Sequence, residues 1–147
     1  MRVLLAVDST LPSQIAVDEV VNRPWPDGSA IRVISVTQPV PFGLVGLPAE
    51  YFNELTRFAN SSAENAIQEA VRELEHAFGD AVKVEGEVLS GSPKNVIVDE
   101  ADKWNADLIV VGASGHSPFE RLFGTVADSV IAHAHCSVEI VRHREAA

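Results

Sequence analysis

The residues with the most chemical promise lie in the last third of the chain. Gly112 and Gly115 have two residues between them, and Gly124-Thr125 follows after residues 116–123. The run Ala106-Asp107-Leu108-Ile109-Val110-Val111 ahead of Gly112 reads as a buried strand, and apolar residues from about Val126 to Ala134 recur at helical spacing. A strand, a glycine loop and a helix N-terminus in that order form an anion site, usually for phosphate. Glycine lets the backbone approach the ligand closely, while free N–H groups and the helix dipole favour negative charge. Thr125-x-x-Asp128 also has the form of a capping box, with aspartate where glutamate is usual, so the hydroxyl suits either a cap or a phosphate. Gly112 and Gly115 equally suit a plain turn after a strand.

Other candidates carry less pattern. Asp8 closes an apolar run and offers its carboxylate either to a ligand or to the start of the next helix. His133, His135 and Cys136 have metal-binding side chains. Histidines two apart do not share a helix face, however, and a cysteine opening a buried strand usually packs, so no metal site is expected. Near a helix C-terminus, His133 is favourably placed against the dipole. Gly112-Ala113-Ser114-Gly115 is not a nucleophile elbow, because the next residue is His116, and the chain has neither G-x4-G-K-[S/T] nor G-x-G-x-x-G. Asp8, Ser9 and His116 have the residue types of a triad but no spacing that demands one, and no catalytic residue is assigned.

These groups need a scaffold. Residues 3–7 form a short apolar run that reads as a central strand buried on both faces. Ser9 or Ser13 is placed to cap a helix carrying Ile15, Ala16, Val20 and Val21, which Pro24 stops. Asp27-Gly28 is a turn, and residues 30–37 are a second strand. Residues 38–48 form an irregular, apolar, Pro/Gly-rich loop, suited to a lid or a partner surface. A long amphipathic helix runs to about Phe78, with Phe52, Leu55, Ala59, Ala63, Ala66, Ala70, Leu74 and Phe78 inward. Residues 82–89 alternate apolar and polar, as in a half-exposed edge strand. Ser92-Pro93 opens a helix with Val96, Ile97, Ala101 and Trp104 inward. Residues 108–111 and 137–141 are the last two strands. Strands alternating with helices imply a parallel sheet wrapped on both faces, because parallel strands need crossovers. Ligands of such sheets bind beyond the strand C-termini where strand order reverses, which makes Asp8 and Gly112 the lips of a crevice.

The 147 residues, 46% hydrophobic and without a repeat or linker, suit one domain spanning residues 1–147. A net charge of −10 with no basic run repels phosphate backbones, so no nucleic-acid partner is expected. The lone Cys136 fits a reducing compartment. No apolar stretch approaches the roughly 18 residues of a membrane span. The apolar run at residues 3–7 falls short of the roughly 7–15 residues of a signal peptide. The sequence therefore reads as cytoplasmic, with no membrane partner.

Taken together, the pattern resembles the universal stress protein family in its small single-domain form. The resemblance rests on Leu4-Leu5-Ala6-Val7-Asp8, on Gly91-Ser92-Pro93, on residues 106–112, and on Gly124-Thr125-Val126-Ala127-Asp128-Ser129-Val130 running into residues 133–142. Nucleotide-binding members carry G-x2-G-x9-G-[S/T]. Gly112, Gly115, Gly124 and Thr125 match it, but the spacer of residues 116–123 is one residue short, which shifts the Gly115 amide relative to Gly124. The resemblance implies a Rossmann-like, adenine nucleotide alpha-hydrolase-like α/β fold, with a five-stranded parallel sheet of order 3-2-1-4-5 and helices on both faces. It implies ATP or another adenine nucleotide as ligand, accompanied by magnesium. Asp8 would then lie near the adenine or ribose, and the Val36 backbone at the adenine edge. Gly112 and Gly115 would meet ribose and phosphates, and Gly124 and Thr125 would supply amides and a hydroxyl to the phosphates. Ala6, Ser9, His116 and Val126 complete the implied contact set. It also implies a homodimer through residues 137–142, whose apolar strand suits an edge that pairs with a second copy. The implied function is a stress-response or signalling module acting by nucleotide-dependent interaction with an unidentified protein. Two alternatives stand beside it: a nucleotide-independent dimeric interaction protein, favoured by the short spacer, and a slow adenine-nucleotide hydrolase.

Overall fold

β1 (Arg2–Ala6) carries three consecutive side chains without solvent exposure, Val3, Leu4 and Leu5. A strand this apolar on both faces has to be covered on both, and that requirement organises the chain. The computed structural model describes residues 1–38, 48–113 and 125–142. β1 leads into α1 (Leu11–Val21), β2 (Ala30–Thr37), α2 (Ala49–Phe78), a 3-10 turn (Gly79–Ala81) and β3 (Lys83–Ser90). Then come α3 (Pro93–Trp104), β4 (Leu108–Gly112), α4 (Val126–His133) and β5 (Ser137–Val141). All strand pairs are parallel, in the order β3-β2-β1-β4-β5 that the resemblance implies. The order reverses at β1, which pairs with β2 on one side and β4 on the other.

Alternate residues of the central strands feed two cores. Val3, Leu5 and Val7 pack with Val20 of α1 and with Ile67 and Leu74 of α2. Leu4 and Ile109 pack with Ile97 and Ala101 of α3 and with Ala127 and Val130 of α4. β3 and β5 are the edges. On β3, Gly86 is required by close approach, since a Cβ there would lie 2.4 Å from Cγ2 of Ile67 on α2.

Two helix starts differ from expectation. α1 is preceded by Thr10 as N-cap residue with no side-chain cap bond, so neither Ser9 nor Ser13 caps it. Ser13 lies inside the helix, and its Oγ accepts the Asp8 N–H at 2.7 Å. Ser92 does stand at the N-cap of α3 with Pro93 next, but makes no side-chain cap bond.

The larger difference is in α2. Its buried residues are Ala63, Ile67, Ala70 and Leu74, none before the middle of the helix. Leu55, expected inward, is 45% exposed, and Tyr51 and Phe58 are 57% and 74% exposed. Length explains it: thirty residues make a helix of about 45 Å, whereas the eight residues of β2 span about 26 Å. Because α2 follows the C-terminal end of β2, its first half overhangs that end of the sheet.

Candidate functional site

Strand order reverses between β1 and β4, where parallel sheets place their ligands, and five expected site residues lie at or near strand C-terminal ends or at the start of α4. Ala6 ends β1, Val36 lies near the end of β2, Gly112 ends β4, and Thr125 and Val126 open α4. Ala6, Val36 and Val126 all pack against the α3/α4 core, which places them on one side of the sheet. Gly115, His116, Gly124 and the short spacer lie outside the described residues, as does the segment 39–47 of the Pro/Gly-rich loop.

Thr125 is a cap in this structure. Its Oγ1 accepts the Asp128 N–H at 3.0 Å, and the Asp128 carboxylate accepts the Thr125 N–H at 3.4 Å, completing the capping box. The box consumes the amides of Thr125 and Asp128. It leaves those of Val126 and Ala127 without a partner inside the helix, because the first turn has no preceding carbonyls to pair with. Those two N–H groups and the positive end of the helix dipole fit an anion. The Asp128 carboxylate at the same end opposes one, so a phosphate binding here has to outcompete it for the Thr125 amide.

Gly112 has a packing reason of its own. A Cβ there would lie 2.3 Å from the carbonyl oxygen of Pro12 and 3.1 Å from the Ser13 nitrogen. The end of β4 is pressed against the first turn of α1, and only glycine leaves room. Ala113 donates its N–H to the Val141 carbonyl at 2.8 Å, continuing the β4–β5 ladder past the strand end.

Asp8 lies in the turn between β1 and α1. Its Oδ1 accepts the Thr10 N–H at 2.8 Å and the Thr10 hydroxyl, so the carboxylate pins the β1–α1 turn two residues ahead of the helix. This is an Asx-type turn and not the helix cap that is one of the two sequence readings of Asp8. Asp8 and Ser9 reach the α1/α2 side. Both line a cleft of about 470 Å3 between α1 and α2, whose far wall is Ser62, Asn65 and Glu69 of α2. Val7, Val17 and Ala70, which belong to the α1/α2 core, also line it. The expected contact set thus divides between two sides of the sheet, with Gly112 and Asp8 at the divide. The α2 wall was missed from sequence, although Ser62, Asn65 and Glu69 lie at helical spacing in plain view.

The metal-type side chains have separate partners. His133 donates Nδ1–H to the Ser129 carbonyl at 2.9 Å, and His135 Nδ1 lies 3.1 Å from both Asp102 carboxylate oxygens. Cys136 packs against the α3/α4 core, where burial, reinforced by the charge of Asp102, pushes its thiol pKa up. Among the described residues, no three His, Cys, Asp or Glu side chains come together to hold a metal, and no helix is long and apolar enough to cross a membrane.

Known proteins match this architecture over nearly its whole length. The family model described as Universal stress protein family matches residues 1–142. Universal stress protein MJ0531 of Methanocaldococcus jannaschii is 35% identical over 143 residues, which cover 96% of this chain and 81% of that protein. Among solved structures, hypothetical protein MJ0577 superposes with a TM-score of 0.81 at 22% identity, over 99% of this chain and 97% of that one. A universal stress protein in complex with cAMP gives 0.66 at 23%, covering 97% and 96%. An Arabidopsis thaliana family protein with AMP bound gives 0.71 at 18%, covering 98% and 92%. At these identities the solved structures establish the fold.

Proposed function

This chain belongs to the universal stress protein family, and on that premise we propose that it binds an adenine nucleotide, ATP in the first instance, in the crevice between the ends of β1 and β4. The observation that carries the reading is local. α4 starts with the Val126 and Ala127 amides left over by its capping box, while Ala6, Val36 and Gly112 stand at or near the C-terminal ends of β1, β2 and β4. Family structures with AMP and with cAMP support the choice of ligand. In this reading the phosphates lie at the start of α4, on Gly112, Gly115, Gly124 and Thr125, with the Val126 amide and His116 beside them. The adenine edge meets the Val36 backbone near Ala6, and Asp8 and Ser9 close the ribose end. Magnesium enters with the phosphates. The protein acts as a cytoplasmic stress-response or signalling module whose partner interactions change with nucleotide. It pairs through residues 137–142, where β5 is an open sheet edge.

Calorimetric titration of nucleotide-stripped protein with ATP tests the reading, beside a Gly115→Val variant. Micromolar binding that the variant loses supports it. No heat up to millimolar ATP favours the second reading, a nucleotide-independent dimeric interaction module. Two observations already lean toward that alternative: the spacer is one residue short, and both Gly112 and Thr125 have complete structural roles without a ligand. Sedimentation at micromolar concentration tests the dimer, and a monomer would remove it.

A further inference from the structure

The α1/α2 side of the sheet holds a feature that meets the proposed nucleotide site only at the β1–α1 turn. Tyr51, Leu55, Phe58, Ser62, Asn65, Glu69 and Glu73 recur at steps of four and three along α2, so they share one face of the helix. From Tyr51 to Glu69 that face is about 27 Å long, five turns. Its chemistry is graded. The overhanging half presents Tyr51, Leu55 and Phe58, all strongly exposed, while the half over the sheet presents Ser62, Asn65 and Glu69 to the cleft. The opposite wall of the cleft carries Leu11, 68% exposed, and Asp8. Both ionisable groups that line the cleft, Asp8 and Glu69, are acidic, and no Lys, Arg or His lines it. Below them Glu73 accepts from Gln14 Nε2 at 3.3 Å, closing the floor between α1 and α2 and adding a third carboxylate.

We propose that this groove docks an amphipathic helix of a partner protein, apolar where it meets Tyr51, Leu55 and Phe58 and basic where it meets Asp8 and Glu69. Three exposed large side chains in a row on one helix face are the anchors that helix-in-groove recognition uses. Charge chooses the occupant. A second copy would bring a chain of net charge −10 against an acidic groove, whereas a basic segment neutralises it. Asp8 is shared with the proposed nucleotide site, whereas Tyr51, Leu55, Phe58 and Glu69 are not, so variants at Phe58 and Glu69 test the groove whether or not nucleotide binds.

The test uses the full chain and a labelled synthetic peptide of roughly 18 residues, the length of the graded face. Leucines at i, i+4 and i+7 occupy one half of the peptide, and lysines continue the same face in the other. Anisotropy at about 0.15 M salt should show saturable one-to-one binding. Phe58→Asp and Glu69→Lys should each weaken it at least about tenfold, as should glutamates in place of the peptide's lysines. Both positions are exposed, and unchanged thermal melts will show that the variants fold. Binding unaffected by Phe58→Asp, equal binding of the lysine and glutamate peptides, or no binding at millimolar peptide would each overturn the proposal. Self-association of the protein that Phe58→Asp abolishes would assign the face to a second copy and overturn it as well.

Discussion

The C-terminal end of the sheet is bordered by two pairs of helices that solve different problems. On the α3/α4 side, each helix ends where the sheet needs it to. α4 is only eight residues long, starts in a full capping box and lays Ala127 and Val130 into the core. On the α1/α2 side, α2 runs on for about four turns beyond the sheet, and Tyr51, Leu55 and Phe58 of that extension are exposed. One side is fixed by local chemistry, the other by a mismatch of lengths. A short capped helix beside a strand reversal makes a small, rigid anion site, and an overhanging helix makes a long graded groove.

The sharpest way to break this comparison is along α2 itself. Leu74 has no solvent exposure, and truncating it leaves a cavity, so Leu74→Ala should cost about 3 kcal/mol in urea unfolding. Phe58→Ala, on the same helix, should stay within about 0.5 kcal/mol. Equal losses would mean that the overhang is packed and the groove does not exist. Next in size is Gly112→Ala, whose new methyl would meet the backbone of Pro12. The end of β4 would have to shift away from α1, at a cost of about 2 kcal/mol in the same measurement, with or without nucleotide present. A neutral result would return Gly112 to a purely ligand-contacting role.

Thr125→Ala removes the hydroxyl that accepts the Asp128 N–H, and should lower stability by about 1 kcal/mol, while Thr125→Ser keeps the bond and the stability. If the phosphates also use this residue, ATP affinity falls in Thr125→Ala by more than the loss of stability explains. Smallest is a kinetic effect at Cys136. Its raised pKa means less thiolate at neutral pH, so alkylation by iodoacetamide should be several-fold slower than for a free thiol and should gain rate at higher pH than the free thiol does. A rate equal to the free thiol would show that the end of α4 opens readily.

The sequence revealed the two sides unequally, for physical reasons. The alternation of strands and helices, the Thr125–Asp128 box and the place of Gly112 at a strand end follow from short patterns in which neighbours in the chain are neighbours in space, whereas the strand order comes with the family resemblance. Asp8 was half legible. A carboxylate at a strand end has several local donors to choose from, and only the observed turn shows that it takes Thr10 and leaves α1 to a bare N-cap. Leu55 was misread because helical periodicity says which face is apolar but not how far the sheet beneath extends. Ile67 was passed over for the same reason, since it becomes core only where α2 lies against Gly86 of β3. The cleft wall of Ser62, Asn65 and Glu69 needs both facts at once, the path of α2 and the position of the β1–α1 turn, and no local pattern carries either.

The central claim is that the nucleotide belongs to the α3/α4 side and not to the cleft between α1 and α2. An amide NMR titration of the isotope-labelled protein with ATP tests it directly. The account predicts shifts at Ala6 to Ser9, Val36, Gly112, Val126 and Ala127, with Ser62, Asn65 and Glu69 unmoved. Shifts concentrated at Ser62, Asn65 and Glu69, with Val126 and Ala127 unmoved, would place the ligand on the wrong side of the sheet and contradict it.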